Sequence, residues 1–167
     1  KDKPPILKRV GRAAAALATA TATLLSGVLT TGTAFATTNL GLPGYLTNAS
    51  FSVTFSNGGA LYGEQVIGPI AMKDGRYAYC REASVPTDLN PNNGTWSKTS
   101  DPTAQKLAYI ADKYKNDGSD LTQAAITYLV HMHFDNSGGP EYMAAAGRAG
   151  LKNGNWNDVV NTANRMW

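Results

Sequence analysis

The sequence predicts an α+β domain, with an antiparallel β portion first and a helical portion after it. Three observations carry this. Residues 50–56 alternate apolar and small polar side chains, a period of two. An Asp74-Gly75 dipeptide sits between two strand-like runs, as in a hairpin. From Asp101 onward the apolar period changes to three and four, as in amphipathic helices.

The chain has 167 residues and opens with Lys1, Lys3, Lys8, Arg9 and Arg12. An uncharged stretch rich in Ala, Leu and Thr follows from Ala13 to Ala36, ending in Ala34-Phe35-Ala36. Basic, apolar and small-x-small regions in that order are those of a secretory signal peptide, here residues 1–36. Six threonines and one serine make the stretch weakly apolar, which disfavours a permanent anchor. The first residue is not Met, so the native start is expected upstream. Localisation is expected to be secreted, at the cell surface or in the cell wall.

The leader changes the charge argument. The whole chain is +3, with 15 basic and 12 acidic residues. The leader holds five of the basic residues and one acidic residue, Asp2. Ten basic and eleven acidic residues remain, a net charge of −1. That balance gives no basic face for nucleic acid. Residues 37–167 are enough for one domain with a modest core and no membrane role.

Thr37 to Leu46 reads as a Gly/Pro-containing lead-in. Phe51, Val53 and Phe55 mark the buried face of the first strand, and Asn57-Gly58-Gly59 a turn. The hairpin arms are expected at Gln65–Lys73 and Arg76–Glu82. On the second arm Tyr77 and Tyr79 share one face, Ala78 and Cys80 the other. With the tyrosines outward, Cys80 points inward. Ala83 to Ser100 reads as loop, with one large apolar residue near its end, Trp96.

Asp101 and Pro102 suit the N-cap and first turn of a helix bearing Ala104, Leu107, Ala108, Ala111 and Tyr114. Asn116-Asp117-Gly118 ends it. Ser119 or Asp120 caps a second helix carrying Leu121, Ala125, Tyr128, Leu129 and Met132. Ile126 and Val130 lie on another face, so this helix is expected to be mostly buried. Gly138-Gly139-Pro140 breaks the chain before a short Ala-rich helix. Asn155 caps a last one with Trp156, Val159, Val160, Ala163 and Met166 or Trp167 inward. The sequence stops at that helix and is read as a fragment of a longer surface protein with further domains.

Cys80 is the single cysteine. An exported chain with one cysteine makes no internal disulfide, so the thiol is unbridged, reactive or used for something else. Gln123 lies 43 residues on. A strand cysteine and a glutamine near a helix start can fuse, with loss of ammonia, into an internal thioester. The sulfur is strongly nucleophilic near neutral pH, and an uncharged amide accepts attack where a carboxylate resists it. Rigid elements must place both groups, and apolar cover such as Tyr79, Ile126 and Val130 must keep water off the carbonyl.

Tyr79-Cys80 and Thr122-Gln123-Ala124-Ala125-Ile126, in an exported β-then-α chain, resemble the thioester domain of Gram-positive, actinobacterial-type cell-surface adhesins. The resemblance covers roughly Val66 to His131. Position 127 is Thr where the family usually has Trp, and the Cys-to-Gln segment is short. The resemblance implies a thioester-domain-like fold over 37–167, with Cys80 supplying sulfur and Gln123 the acyl carbon. It implies single-use covalent capture rather than turnover. The partner would be a host or matrix surface protein, attached through a lysine amine.

Other readings stand beside it. Cys80 can be a small buried apolar residue and the domain a non-covalent binding module. Cys80, His131 and Asp135 can form a secreted cysteine peptidase or amidase, although such thiols usually sit at helix N-termini. His131 and His133 are two apart, which does not stack on a helix face, so no two-histidine metal site is expected. They suit the negative end of a helix. No cofactor is expected. Trp96, Trp156 and Trp167 could form a carbohydrate platform, but the last two fit a packed helix face.

Overall fold

Tyr45–Leu46 (β1) pairs antiparallel with Val66–Ile67 (β4), and Ser52–Thr54 (β2) pairs with Ala60–Tyr62 (β3). Ile70–Ala71 (β5) pairs with Tyr77–Ala78 (β6). Among the described residues four helices come after them: Pro102–Lys113 (α1), Asp120–His133 (α2), Gly139–Ala149 (α3) and Trp156–Met166 (α4). The computed structural model describes residues 43–71, 76–84 and 98–167, all within the unit spanning residues 31–167. The expected leader, the Asp74-Gly75 turn and Trp96 lie outside the described residues. The result is a mixed fold of small antiparallel sheets and several helices.

The β portion follows its alternation. Phe51, Val53 and Phe55 are buried while Ser52 and Thr54 are exposed. The turn forms with Gly58 N–H donating to Phe55 O and Phe55 N–H to Gly59 O. Gly58 has φ 86°, which glycine reaches without a Cβ penalty.

Three expectations for this portion need correction. The lead-in contains a strand, because Tyr45 and Leu46 find partners in Ile67 and Val66. The first hairpin arm is not continuous: β4 turns to β1 and β5 to β6. Gly68 and Pro69 separate them. A Cβ at Gly68 would lie 2.5 Å from Pro43 O, so the chains cross too closely for a side chain. Pro69 has no N–H for a ladder. Finally, Ile70 faces Ala78, whereas a two-residue turn at Asp74-Gly75 would set it against Tyr79. That one-residue difference exchanges the faces of a strand.

The helices form where their caps are. Asp101 Oδ1 accepts from Thr103 and Ala104 N–H, with Pro102 in the first turn. Ser119 Oγ accepts from Thr122 N–H, and Asn155 Oδ1 from Asn157 N–H. α3 begins without a side-chain cap, behind Gly138 at φ 121°. On α1 the buried residues are Leu107 and Ile110; Ala108 is exposed, so the stripe runs 104, 107, 110, 111 and 114.

α2 is the centre of the helical portion. It packs against α1, α3, α4, β1 and β4. Ala124 joins the cluster of Phe51, Leu61, Ile67, Tyr142, Met143 and Val159. Ala125, Ile126, Leu129 and Val130 join Leu107, Ile110 and Ala163. The second helix is therefore mostly buried, as its two apolar faces require, although Met132 is exposed. Trp156 packs edge-on to Tyr128, at 5.9 Å between centroids, which is a packing role. Among the described residues no helix is long and apolar enough to cross a membrane.

Candidate functional site

Gln123 lies in the first turns of α2 and is fully buried. Its carboxamide is held at both ends. Tyr79 Oη donates to Oε1 at 2.5 Å. Nε2 donates to Asp117 O at 2.6 Å and reaches Tyr114 O at 3.5 Å. A buried amide left open would cost a few kcal/mol, so these partners fix its orientation.

The α1–α2 connection makes this seat. Tyr114 is the C-cap residue of α1. Thr122 Oγ1 donates to Asp117 Oδ2 at 2.7 Å, and Ser119 N–H donates to Asp117 Oδ1. The Thr122 hydroxyl, followed by Ser119, holds the Asp117 carboxyl below the usual carboxylate range. The threonine next to Gln123 thus shapes the loop whose carbonyl the glutamine uses.

Cys80 is half-buried, two residues past the end of β6, so the expectation that it lies on the strand is corrected. β6 stops at Ala78, and strand alternation does not extend to Tyr79 and Cys80. Tyr79 does not face outward: it packs against the Leu107–Ile110–Ile126 cluster and reaches Gln123. Cys80 Sγ lies 3.6 Å from Glu82 O. Burial pushes the Tyr142 phenol up, with a smaller electrostatic contribution from the neighbouring Cys80. The structure therefore brings Tyr79, the residue before Cys80, onto the side-chain oxygen of Gln123. It places Cys80 itself beside Glu82 O and in the electrostatic reach of Tyr142.

The far end of the same segment is tied to the far end of α2. Ala83 N–H donates to Asp135 Oδ2 at 2.8 Å. His131 Nδ1 meets that oxygen, also at 2.8 Å, and Ser137 donates twice to Oδ1. Burial alone would raise the Asp135 pKa; the donors from His131, Ala83 and Ser137 outweigh it and hold it at about 2. The His131 ring packs edge-on against Tyr142 at 4.9 Å. His133 points elsewhere: it stacks on Trp167 at 3.9 Å, with Lys106 over the same indole. The two histidines thus do different things, and a joint role for them is not built.

Sequence reasoning missed one pattern. Gln123, Thr127, His131 and Asp135 recur every four residues, and all are buried. Polar residues on one helical face, deep in an apolar helix, signal a partner segment with polar needs. The two ends of the row, Gln123 and Asp135, meet such a segment in Tyr79–Ala83, while Thr127 bonds to Gln123 O and His131 to Asp135. Compared with protein families, curated proteins and solved structures, the chain matches none.

Proposed function

We propose that residues 37–167 form a covalent adhesion domain that stores an internal thioester between Cys80 and Gln123. The observation that carries this reading is the buried Gln123 carboxamide, its oxygen bonded by the residue adjacent to the single cysteine. An ordinary helix glutamine stays in solvent; this one is dry and fixed in orientation, as an acyl donor must be. Opening the bond with a lysine amine of a host or matrix surface protein gives an amide at Gln123 and a thiol at Cys80. The event occurs once per molecule. Export to the cell surface and further domains beyond this segment belong to the same reading.

Mass measurement tests it. The purified chain is expected to be lighter than its sequence by one ammonia. A small primary amine is then taken up once, on Gln123, and Cys80 becomes alkylable. Cys80→Ala and Gln123→Ala each abolish the uptake. Full mass with no amine uptake in the folded wild-type chain would falsify the reading.

A second reading draws on the His131–Asp135 pair. A carboxylate orienting an imidazole is half of a cysteine peptidase or amidase centre. That enzyme would turn over repeatedly and would not be modified at Gln123, so the same experiment separates the two.

A further inference from the structure

Three groups surround the Gln123 carboxamide, and their chemistry forces its orientation. If the amide were reversed, Oε1 would face two carbonyl oxygens with no proton between them, and the NH2 would face Tyr79 Oη. The arrangement with Oε1 on the phenol and Nε2 on the carbonyls of Asp117 and Tyr114 satisfies every group. The acyl oxygen and the departing nitrogen therefore have separate, preformed seats.

We propose that Tyr79 is a catalytic residue of this site, its phenol holding the acyl oxygen, and that the carbonyls of Asp117 and Tyr114 seat the nitrogen that leaves and the amine that enters. The proposal rests on the thioester reading and assigns the work within it. In bond formation the Cys80 thiol gives up its proton, Sγ bonds Cδ, and the Cδ–Nε2 bond breaks. The nitrogen departs as ammonia carrying that proton. In capture an amine nitrogen bonds Cδ, the Cδ–Sγ bond breaks, and one amine proton ends on sulfur. Both directions pass through a tetrahedral carbon whose oxygen is negative.

A donor already placed on that oxygen is worth most when the charge develops. Tyr79 suits this because burial raises its pKa, so the phenol stays protonated and keeps donating. The entering nitrogen meets two backbone acceptors at the positions the amide NH2 occupies. A primary amine brings two N–H groups to them. A secondary amine brings one, and sets a second carbon against a carbonyl oxygen in a site with no exposed surface at Gln123.

The test measures two rates in the full chain: ammonia loss after refolding, and opening by methylamine, both by intact mass. Tyr79→Phe keeps the ring and removes the hydroxyl. It is expected to slow both rates by roughly 100-fold, the usual effect of losing one such donor. Site-specific replacement of Tyr79 by 3-fluorotyrosine, a more acidic phenol of nearly the same size, is expected to speed opening at a pH where it remains protonated. This second variant carries the test if Tyr79→Phe does not fold. Dimethylamine is expected to open the wild-type bond far more slowly than methylamine. A wild-type thioester whose opening is unchanged in folded Tyr79→Phe, or indifferent to fluorination, overturns the role of Tyr79 and leaves the thioester standing. Equal rates with both amines overturn the nitrogen seat. A wild-type chain with no ammonia loss overturns the thioester and this assignment together.

Discussion

Asp135 shows how much one carboxylate can organise. It accepts from Ala83, His131 and Ser137, and so joins the Cys80 segment, the end of α2 and the approach to α3. Its pKa falls from 3.8 to about 2 on folding. Between those values the unfolded chain binds the proton and the folded chain does not, so stability rises with pH there. The contribution is fully present above about pH 4 and is lost as pH falls toward 2; it amounts to about 2 kcal/mol. In Asp135→Asn that part of the acid dependence is expected to disappear, leaving a chain less stable at neutral pH. Urea denaturation between pH 2 and 7 checks this. A variant with the wild-type acid slope would show that Asp135 is not the group responsible.

At the scale of elements, the α2–α3 junction depends on an absent side chain. A Cβ on Gly139 would lie 2.0 Å from His131 O and 2.6 Å from Asp135 Cβ. A helix carbonyl cannot yield as a flexible side chain does. Gly139→Ala is therefore expected to cost about 3 kcal/mol, read as a lower urea midpoint, by forcing the backbones apart. Gly118 is the internal control. Nothing lies within 4 Å of a Cβ there, so Gly118→Ala should change stability by less than about 0.5 kcal/mol. Equal effects from the two substitutions would contradict the close approach. The helices were legible in the sequence because their caps are local: Asp101, Ser119 and Asn155 accept hydrogen bonds within three residues. The β2 strand was legible because Phe51, Val53 and Phe55 alternate over one buried face. The partners of β1 and β4 were not, since the close crossing at Gly68 is long-range. Likewise, Tyr79 and Gln123 stood in the sequence as members of two motifs. Their hydrogen bond depends on β6 ending at Ala78, which alternation alone did not foretell. The Asp117 carbonyl was invisible as well, because backbone acceptors have no residue-type signal.

At the scale of the whole molecule, the proposed thioester would also be a cross-link. Residues 80 and 123 are 43 positions apart, and α1 lies between them. Closing that loop in the unfolded chain removes entropy that folding would otherwise have to overcome. Chain-entropy arithmetic for a covalent loop of this length gives about 4 kcal/mol at 25 °C. Gln123 sits on the helix that touches both apolar clusters, so unfolding α2 would expose the proposed bond in the same event. The closed chain is therefore expected to unfold at a clearly higher urea concentration than the chain opened by methylamine. The m-value should be smaller for the closed chain, because its unfolded state stays more compact. Cys80→Ala, which never closes the loop, is expected to match the opened chain closely, apart from the small loss of sulfur packing. Urea curves for the three species, each checked by intact mass, make the comparison. Identical midpoints for a chain that has lost ammonia and one that has been opened would mean that the bond does not join residues 80 and 123.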